Sequence, residues 1–470
     1  MRLLNTTTLT FEEFHDSRQV NYSILSHCWG QDRVDPEVTL QAYLSDTYNR
    51  EGQGWRKILR CCNLSKERGY EWTWIDTCCI DKSSSAELSE AINSMFKWYQ
   101  DSSECYAFLD DCDLNTLPNV EEFDMHERWK QGMDARDVAN IETFSRSRWF
   151  TRGWTLQELL APREVLFYSN TDLLLGTKAE LASLLSYSSG IAQKYILDPD
   201  AVRAASVAVR MSWASDRTTT RVEDVGYSLL GIFSINMPLL YGEGQNAFQR
   251  LQHEIIRTSV DLSIFAWGIN LEHSEPCSIL ARDPSDFRDS TVSCIDYSFF
   301  TDIVAYSITH MGLTITMRTA MLFAHLPLVL ATNASETIVL HMRRHENNRW
   351  YRHRLRTLPR PMSLQHSFLK VLTKVVTASS RTIHAAIGFH GTPQPIAPYH
   401  PHFIEERRYR LRLRTFVGLL AGAFVKLPLM AMYVSQLTVL AVAKFGSGGL
   451  GLGLILVSLA AAGATYLRII

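Results

Sequence analysis

Three stretches decide how this chain folds: Tyr22-Ser-Ile-Leu-Ser-His-Cys-Trp-Gly30, Trp74-Ile-Asp-Thr-Cys-Cys-Ile-Asp81 and Ser147-Arg-Trp-Phe-Thr-Arg-Gly-Trp-Thr-Leu-Gln-Glu-Leu159. Each joins a short apolar run to side chains able to do chemistry. These are His27 and Cys28 in the first, Asp76, Cys79 and Asp81 in the second, and Arg152 and Glu158 in the third. An apolar run that stops at polar residues reads as a strand ending at a sheet edge. Several such clusters in one chain point to a single composite site.

Working outward, residues 22–28, 72–76, 104–109 and 164–168 read as strands. Residues 54–69 read as a helix, with Trp55, Ile58, Leu59 and Cys62 at i, i+3, i+4 and i+7 and Gly69 as its stop. Ser84 and Glu87 have the spacing of a capping box. The helix they open reaches about Tyr99, with Leu88, Ile92, Phe96 and Tyr99 on one face. A polar stretch of about 35 residues follows Leu109 and reads as an insertion or long loop. Trp154 to Leu160 reads as a short helix closed by Pro162. Strands alternating with helices predict an α/β fold with a parallel sheet. Ligands of such sheets bind beyond the carboxyl ends of the strands, where His27, Cys28, Trp29 and the Asp76–Asp81 cluster fall.

From 177 to 258 the pattern turns helical, a helical extension of the α/β core. Thr177 and Glu180 repeat the capping spacing. Val222, Val225, Leu229 and Phe233 form one stripe, and Phe248, Leu251 and Ile255 another. From about 262 to 400 strand-like runs dominate, such as Leu313-Thr-Ile-Thr-Met317, and predict a separate β-rich domain. Beyond the arginines at 407, 408, 410, 412 and 414, residues 415–467 carry only Lys426 and Lys444 as charges. Two uncharged runs, 427–443 and 448–467, would span roughly 25 and 30 Å as helices, enough for a membrane-crossing hairpin. The arginines would then mark the cytoplasmic side. The alternative is a buried hydrophobic helical hairpin.

Composition fits a folded protein: 470 residues, 46% hydrophobic and 20% charged. A net charge of −2 gives no general attraction to nucleic acid. Nine cysteines, with Cys61-Cys62 and Cys78-Cys79 adjacent, show no disulfide framework and suit a reducing compartment. The N-terminal residues lack the apolar stretch of a secretory signal. A cytoplasmic α/β domain is therefore expected, at a membrane if the C-terminal runs span one.

The three motifs, with Arg203-Ala-Ala-Ser-Val-Ala208, Met211-Ser-Trp-Ala214, Arg221-Val-Glu-Asp-Val-Gly-Tyr-Ser-Leu-Leu-Gly-Ile-Phe233 and Met237-Pro-Leu-Leu-Tyr-Gly-Glu-Gly244, closely resemble the heterokaryon-incompatibility (HET) domain of filamentous fungi. The resemblance covers about residues 1–268. It implies a role in nonself recognition that ends in programmed cell death, with self-association and a partner incompatibility or NLR-type protein. More distantly, Tyr22 to Asp32 resembles the first motif of Toll/interleukin-1-receptor (TIR) domains. Trp154-Thr-Leu-Gln-Glu-Leu159 resembles the TIR Trp-Cys-x-x-Glu-Leu motif, with Thr155 in place of the cysteine. That resemblance implies a TIR/flavodoxin-like sheet. It also implies NAD as a substrate, with Glu158 in the place of the glutamate needed for cleavage.

The residues themselves leave alternatives open. Glu158 is either the carboxylate beside a breaking nicotinamide–ribose bond or a helix-surface glutamate paired with Arg152 or Arg163. Asp76 either contacts ribose hydroxyls or caps a turn. Ser26, His27, Trp29, Asp76, Arg152 and Trp154 are the candidate nucleotide-binding residues. Arg148 and Arg152 hold phosphates or make surface ion pairs. Trp29, Trp74, Trp149 and Trp154 are core or pocket walls, or a platform for a nucleotide ring. His27 with Cys28 or Cys79 suggests a nucleophile–base pair. No metal site is expected, because adjacent cysteines lack the C-x₂₋₄-C separation, and no prosthetic group is implied.

Overall fold

A computed structural model describes residues 1–30, 36–118, 133–259, 261–268 and 278–288. From 272–277 and from 306 onward it describes only the backbone of strands ending at residue 385. The chain divides into two units, residues 1–390 and 391–470. The arginine cluster and the expected hydrophobic hairpin belong to the second unit and lie outside the described residues. Among the described residues, no helix is long and apolar enough to cross a membrane.

The N-terminal half is built on a seven-stranded mixed sheet. In chain order its strands are β1 (Arg2–Asn5), β2 (Phe11–Glu13), β3 (Tyr22–His27), β4 (Trp72–Trp74), β5 (Glu104–Phe108), β6 (Val165–Tyr168) and β7 (Leu174–Thr177). They lie in the order β2-β1-β4-β3-β5-β6-β7. The four central strands pair in parallel, at the positions read from the sequence. Their chain order across the sheet is second, first, third, fourth, the flavodoxin-like order, with its switch point beside β3. The expectation of a wholly parallel sheet needs correcting. β1 and β2 add antiparallel strands at one edge and β7 at the other. Of these, β2 and β7 are the short, largely exposed edge strands, and β1, with Leu3 and Leu4 buried, lies between β2 and β4.

Helices α1 (Leu40–Leu44), α2 (Gln53–Glu67), α3 (Ser85–Asp101), α4 (Ala135–Ser145) and α5 (Thr155–Leu160) connect the parallel strands. All six residues of β3 are buried, because helices cover both of its faces. On one face the Ser23 hydroxyl meets that of Ser65 on α2 at 2.6 Å. On the other the Tyr22 hydroxyl donates to the Trp98 carbonyl of α3 at 2.5 Å. Alternation along the strand therefore sends Ser26 toward the α3 and α5 side and His27 toward the α2 side.

Ser84 caps α3 by accepting from the Glu87 N–H at 3.3 Å, but the return bond differs from the box read in the sequence. The Glu87 carboxylate accepts instead from the Asp81 N–H at 2.7 Å and pairs with Arg2. Thr177 and Glu180 do bond reciprocally. Thr177 nevertheless closes β7, and the next helix, α6 (Ala182–Ser189), starts beyond them.

Helices α7 (Gln193–Leu197), α8 (Pro199–Ala204) and α9 (Val207–Ser212) follow. The stripe from Val222 to Phe233 is not one helix but two single turns, α10 (Asp224–Tyr227) and α11 (Leu230–Phe233). Gly231 lets α11 press on α3: a Cβ there would stand 2.1 Å from the Phe96 Cβ. Helix α12 (Asn246–Thr258) buries Phe248, Leu251 and Ile255, the predicted stripe.

Beyond it, β8 (Glu272–Cys277), β9 (Tyr306–Thr309), β10 (Gly312–Arg318), β11 (His325–Thr332), β12 (Glu336–Arg344), β13 (Trp350–Pro359) and β14 (Ser380–Ala385) pair into a second sheet. Its order is β11-β12-β13-β14-β10-β9, with β8 also on β13.

Candidate functional site

Glu158 sits on α5, a helix buried along its whole length, so the residue is 7% exposed rather than on a helix surface. It is not paired with Arg152 or Arg163. The Ser26 hydroxyl donates to its Oε2 at 2.5 Å, and the same oxygen of Ser26 accepts from the Trp149 indole N–H at 2.8 Å. Two of the sequence motifs thus meet in one hydrogen-bonded chain at the end of β3. Burial pushes the Glu158 carboxyl up to about 8, and the Asp76 charge acts in the same direction. The hydrogen bonds from Ser26 and Tyr99 and the charge of Arg217 oppose the rise. Near neutral pH the group is mostly protonated.

Arg217 links this pocket to the helical extension. Its Nη1 donates to the Arg152 carbonyl at 2.8 Å and to the Thr155 hydroxyl at 2.9 Å. Thr155 also donates to the Trp149 carbonyl, so the hydroxyl that departs from the TIR motif ties α5 to its neighbours. Burial lowers the guanidinium to about 10 against the pull of Glu158. The backbones meet here too: the Gly153 N–H donates to the Thr218 carbonyl at 2.9 Å, and the Thr218 N–H to the Thr151 carbonyl at 2.7 Å.

On the other face of β3 a second cluster forms. His27 is 8% exposed, and its Nε2 lies 3.8 Å from the Asp76 Oδ1 and 3.9 Å from the Glu37 Oε1. The Trp29 indole N–H donates to the Asp76 Oδ2 at 2.7 Å. Lys82 lies over the Trp29 ring, its Nζ 3.4 Å from the ring centre and 4.0 Å from the Asp76 Oδ2. Glu37 accepts from Lys57 at 2.5 Å and from the Gly30 N–H at 2.8 Å. His27 Nε2, Asp76 Oδ1 and Lys82 Nζ are buried with no hydrogen-bond partner among the described residues. Burial, then the charges of Lys57, Lys82 and Arg148, hold the His27 imidazole well below its ordinary range, so it is neutral. Burial raises the Asp76 carboxyl and lowers the Lys82 ammonium, each against the other's charge.

The remaining candidates separate from these two clusters. Arg152 turns to the Thr220 hydroxyl at 3.3 Å, and Trp154 to Asp224 at 3.4 Å, both toward the helical extension. Arg148 pairs with Asp110. Trp149 and Trp74 are core residues, whereas Trp29 is 40% exposed. Burial pushes the Cys28 thiol up to about 12, and it makes no pair with the His27 Nε2. A primed thiolate–imidazole couple is therefore not present there. Lys82 and Arg217 carry no sequence reading, and Tyr99 is read from the sequence only as part of a helix stripe and not as a site residue. Lys82 directly follows the Asp76–Asp81 motif and was within reach. Arg217 lies 62 residues from Thr155 and carried no local signal.

Residues 22–158 match the family model of the heterokaryon incompatibility protein (HET), and residues 246–307 match one described as a domain of unknown function (DUF8212). The vegetative incompatibility protein HET-E-1 of Podospora anserina is 40% identical over 235 residues, which cover 50% of this chain and 16% of that protein. The chain therefore spans about a sixth of the length of this curated relative. No solved structure matches the chain. The chain thus carries, from the start of β3 to Glu158, a segment that matches the HET domain.

Proposed function

We propose that this chain acts in heterokaryon incompatibility, triggering cell death after nonself recognition through a partner of the incompatibility system, and that it does so by hydrolysing NAD. The observation that carries the chemical part is the Glu158 carboxyl, buried beside Ser26 at the carboxyl end of a flavodoxin-ordered sheet. In such a reaction the ribose–nitrogen bond breaks, its electron pair goes to nicotinamide, and water supplies the new C–O bond and releases a proton. Nicotinamide leaves neutral, so no acid is needed on that side. A carboxylate near the ribose stabilises the oxocarbenium-like state. The resting carboxyl is mostly neutral, and an approaching nicotinamide cation favours its ionised form.

The test is nicotinamide release by the full chain, brought to high local concentration. Turnover is expected, with Glu158→Gln reducing it about 10²–10³-fold. The apparent kcat/KM should rise with pH through about 8, as the free carboxyl ionises. A clustered chain that releases no nicotinamide would overturn the chemistry and leave a non-catalytic assembly role. Deleting residues 415–470 separates either reading from a membrane-damaging tail. Cell killing that survives the deletion assigns the lethal act to the rest of the chain.

A further inference from the structure

Three buried polar atoms on the α2 side of β3 share a geometry that no internal pairing explains. His27 Nε2 and Asp76 Oδ1 stand 3.8 Å apart, too far for a hydrogen bond and near enough for one group to bridge them. Lys82 Nζ, also without a partner, stands 4.0 Å from the other oxygen of the same carboxylate. The His27 side chain is only 3% exposed, so bulk water does not explain its orientation. The set contains a carboxylate acceptor, an ammonium donor and a neutral imidazole nitrogen.

Charge decides what can bind. Asp76 and Glu37 bring two negative charges, and Lys82 and Lys57 bring two positive ones, each lysine beside one carboxylate. A phosphate would meet both carboxylates, and a metal cation both ammonium groups. A neutral group with adjacent donors and acceptors meets no such penalty. A vicinal diol has this character. One hydroxyl donates to Asp76 Oδ1 and accepts from Lys82 Nζ, while its neighbour bonds the imidazole.

We propose that His27, Asp76 and Lys82 form a subsite for the vicinal diol of a ribosyl group, with Trp29 as its wall. The lysine covers one face of the indole. At 40% exposure the residue keeps surface for a ligand. The proposal rests on the nucleotide reading of the site but not on cleavage. It separates ligand binding, on the α2 side of the strand, from the Glu158 carboxyl on the other.

The test is calorimetric titration of the full-length chain with ADP-ribose, its 2′-deoxy form, and free ribose. ADP-ribose is expected to bind. The 2′-deoxy form should bind about tenfold or more weakly, as should the variants Asp76→Asn and Lys82→Met. Lys82 is 25% exposed, so its variant tests the site without disturbing a sealed core. Comparable affinity for free ribose would support the diol chemistry and reassign its source to a sugar. Equal affinity for ADP-ribose and its deoxy form would overturn the subsite, whatever the turnover. Discrimination without nicotinamide release would sustain the subsite and defeat the hydrolysis reading alone.

Discussion

Ser26 and His27 are neighbours in one strand, yet they belong to two different kinds of site. On the Ser26 side the bonds run unbroken from indole to hydroxyl and from hydroxyl to carboxyl. On the His27 side His27 Nε2, Asp76 Oδ1 and Lys82 Nζ lie buried without a hydrogen-bond partner among the described residues. The first arrangement bonds Ser26 to both Trp149 and Glu158. The second leaves three buried polar atoms without a hydrogen-bond partner among the described residues, which is what the proposed subsite uses. A strand at a topological switch point can supply both, because its side chains alternate between faces that different helices cover.

The largest expected effect probes the sealed side. With Glu158 at about 8 when folded against 4.5 ordinarily, the folded protein keeps a proton that the unfolded chain releases between those values. Stability should therefore fall as pH rises from about 4.5 to 8, by roughly 5 kcal/mol in all. Chemical denaturation across that range measures it, and Glu158→Gln should flatten the slope. A parent slope equal to the variant's would mean that the carboxyl is ionised throughout.

Next in size is Ser26→Ala. It leaves the Trp149 N–H and a Glu158 oxygen without their partner. The expected loss is about 1–3 kcal/mol in urea melts. Ser26 favours the ionised carboxyl, so the midpoint of any activity–pH curve should move upward as well. An unmoved midpoint would disconnect the hydroxyl from the acid.

Trp29→Ala should have the smallest effect on stability, about 1 kcal/mol, because the ring is 40% exposed. Its contacts are Lys82 and Asp76. If the same substitution weakens ADP-ribose binding severalfold, the two sides differ as proposed. A collapse of the fold would instead make Trp29 a core residue and erase the contrast.

How much of this was legible in the sequence follows from burial. The central strands were readable because parallel strands covered on both faces are nearly continuous apolar runs, as Val165–Tyr168 is and as Tyr22–Leu25 is but for Ser23. Edge strands such as Phe11–Glu13 face solvent and leave no such trace. The split of α10 from α11 was hidden because Val222, Val225, Leu229 and Phe233 keep helical spacing across the break. The demand lies in tertiary packing, where Gly231 admits Phe96. Within the site, Glu158, Ser26, His27 and Asp76 stood out because their motifs end strands or open a helix. That Ser26 would bond Glu158 while His27 faced Asp76 depended on strand order, which a single sequence does not contain.

The stitching of residues 151–153 to Thr218 bears on how small a working piece of this protein can be. A Cβ at Gly153 would stand 2.5 Å from the Thr219 Cγ2, so the two segments are pressed together where α5 begins. The turn that aims the acid is thus clamped by residues some sixty positions downstream of it. A polypeptide cut after Leu159 would keep all three signature motifs and lose the brace for the last of them. The folding unit is longer than the signature that identifies it.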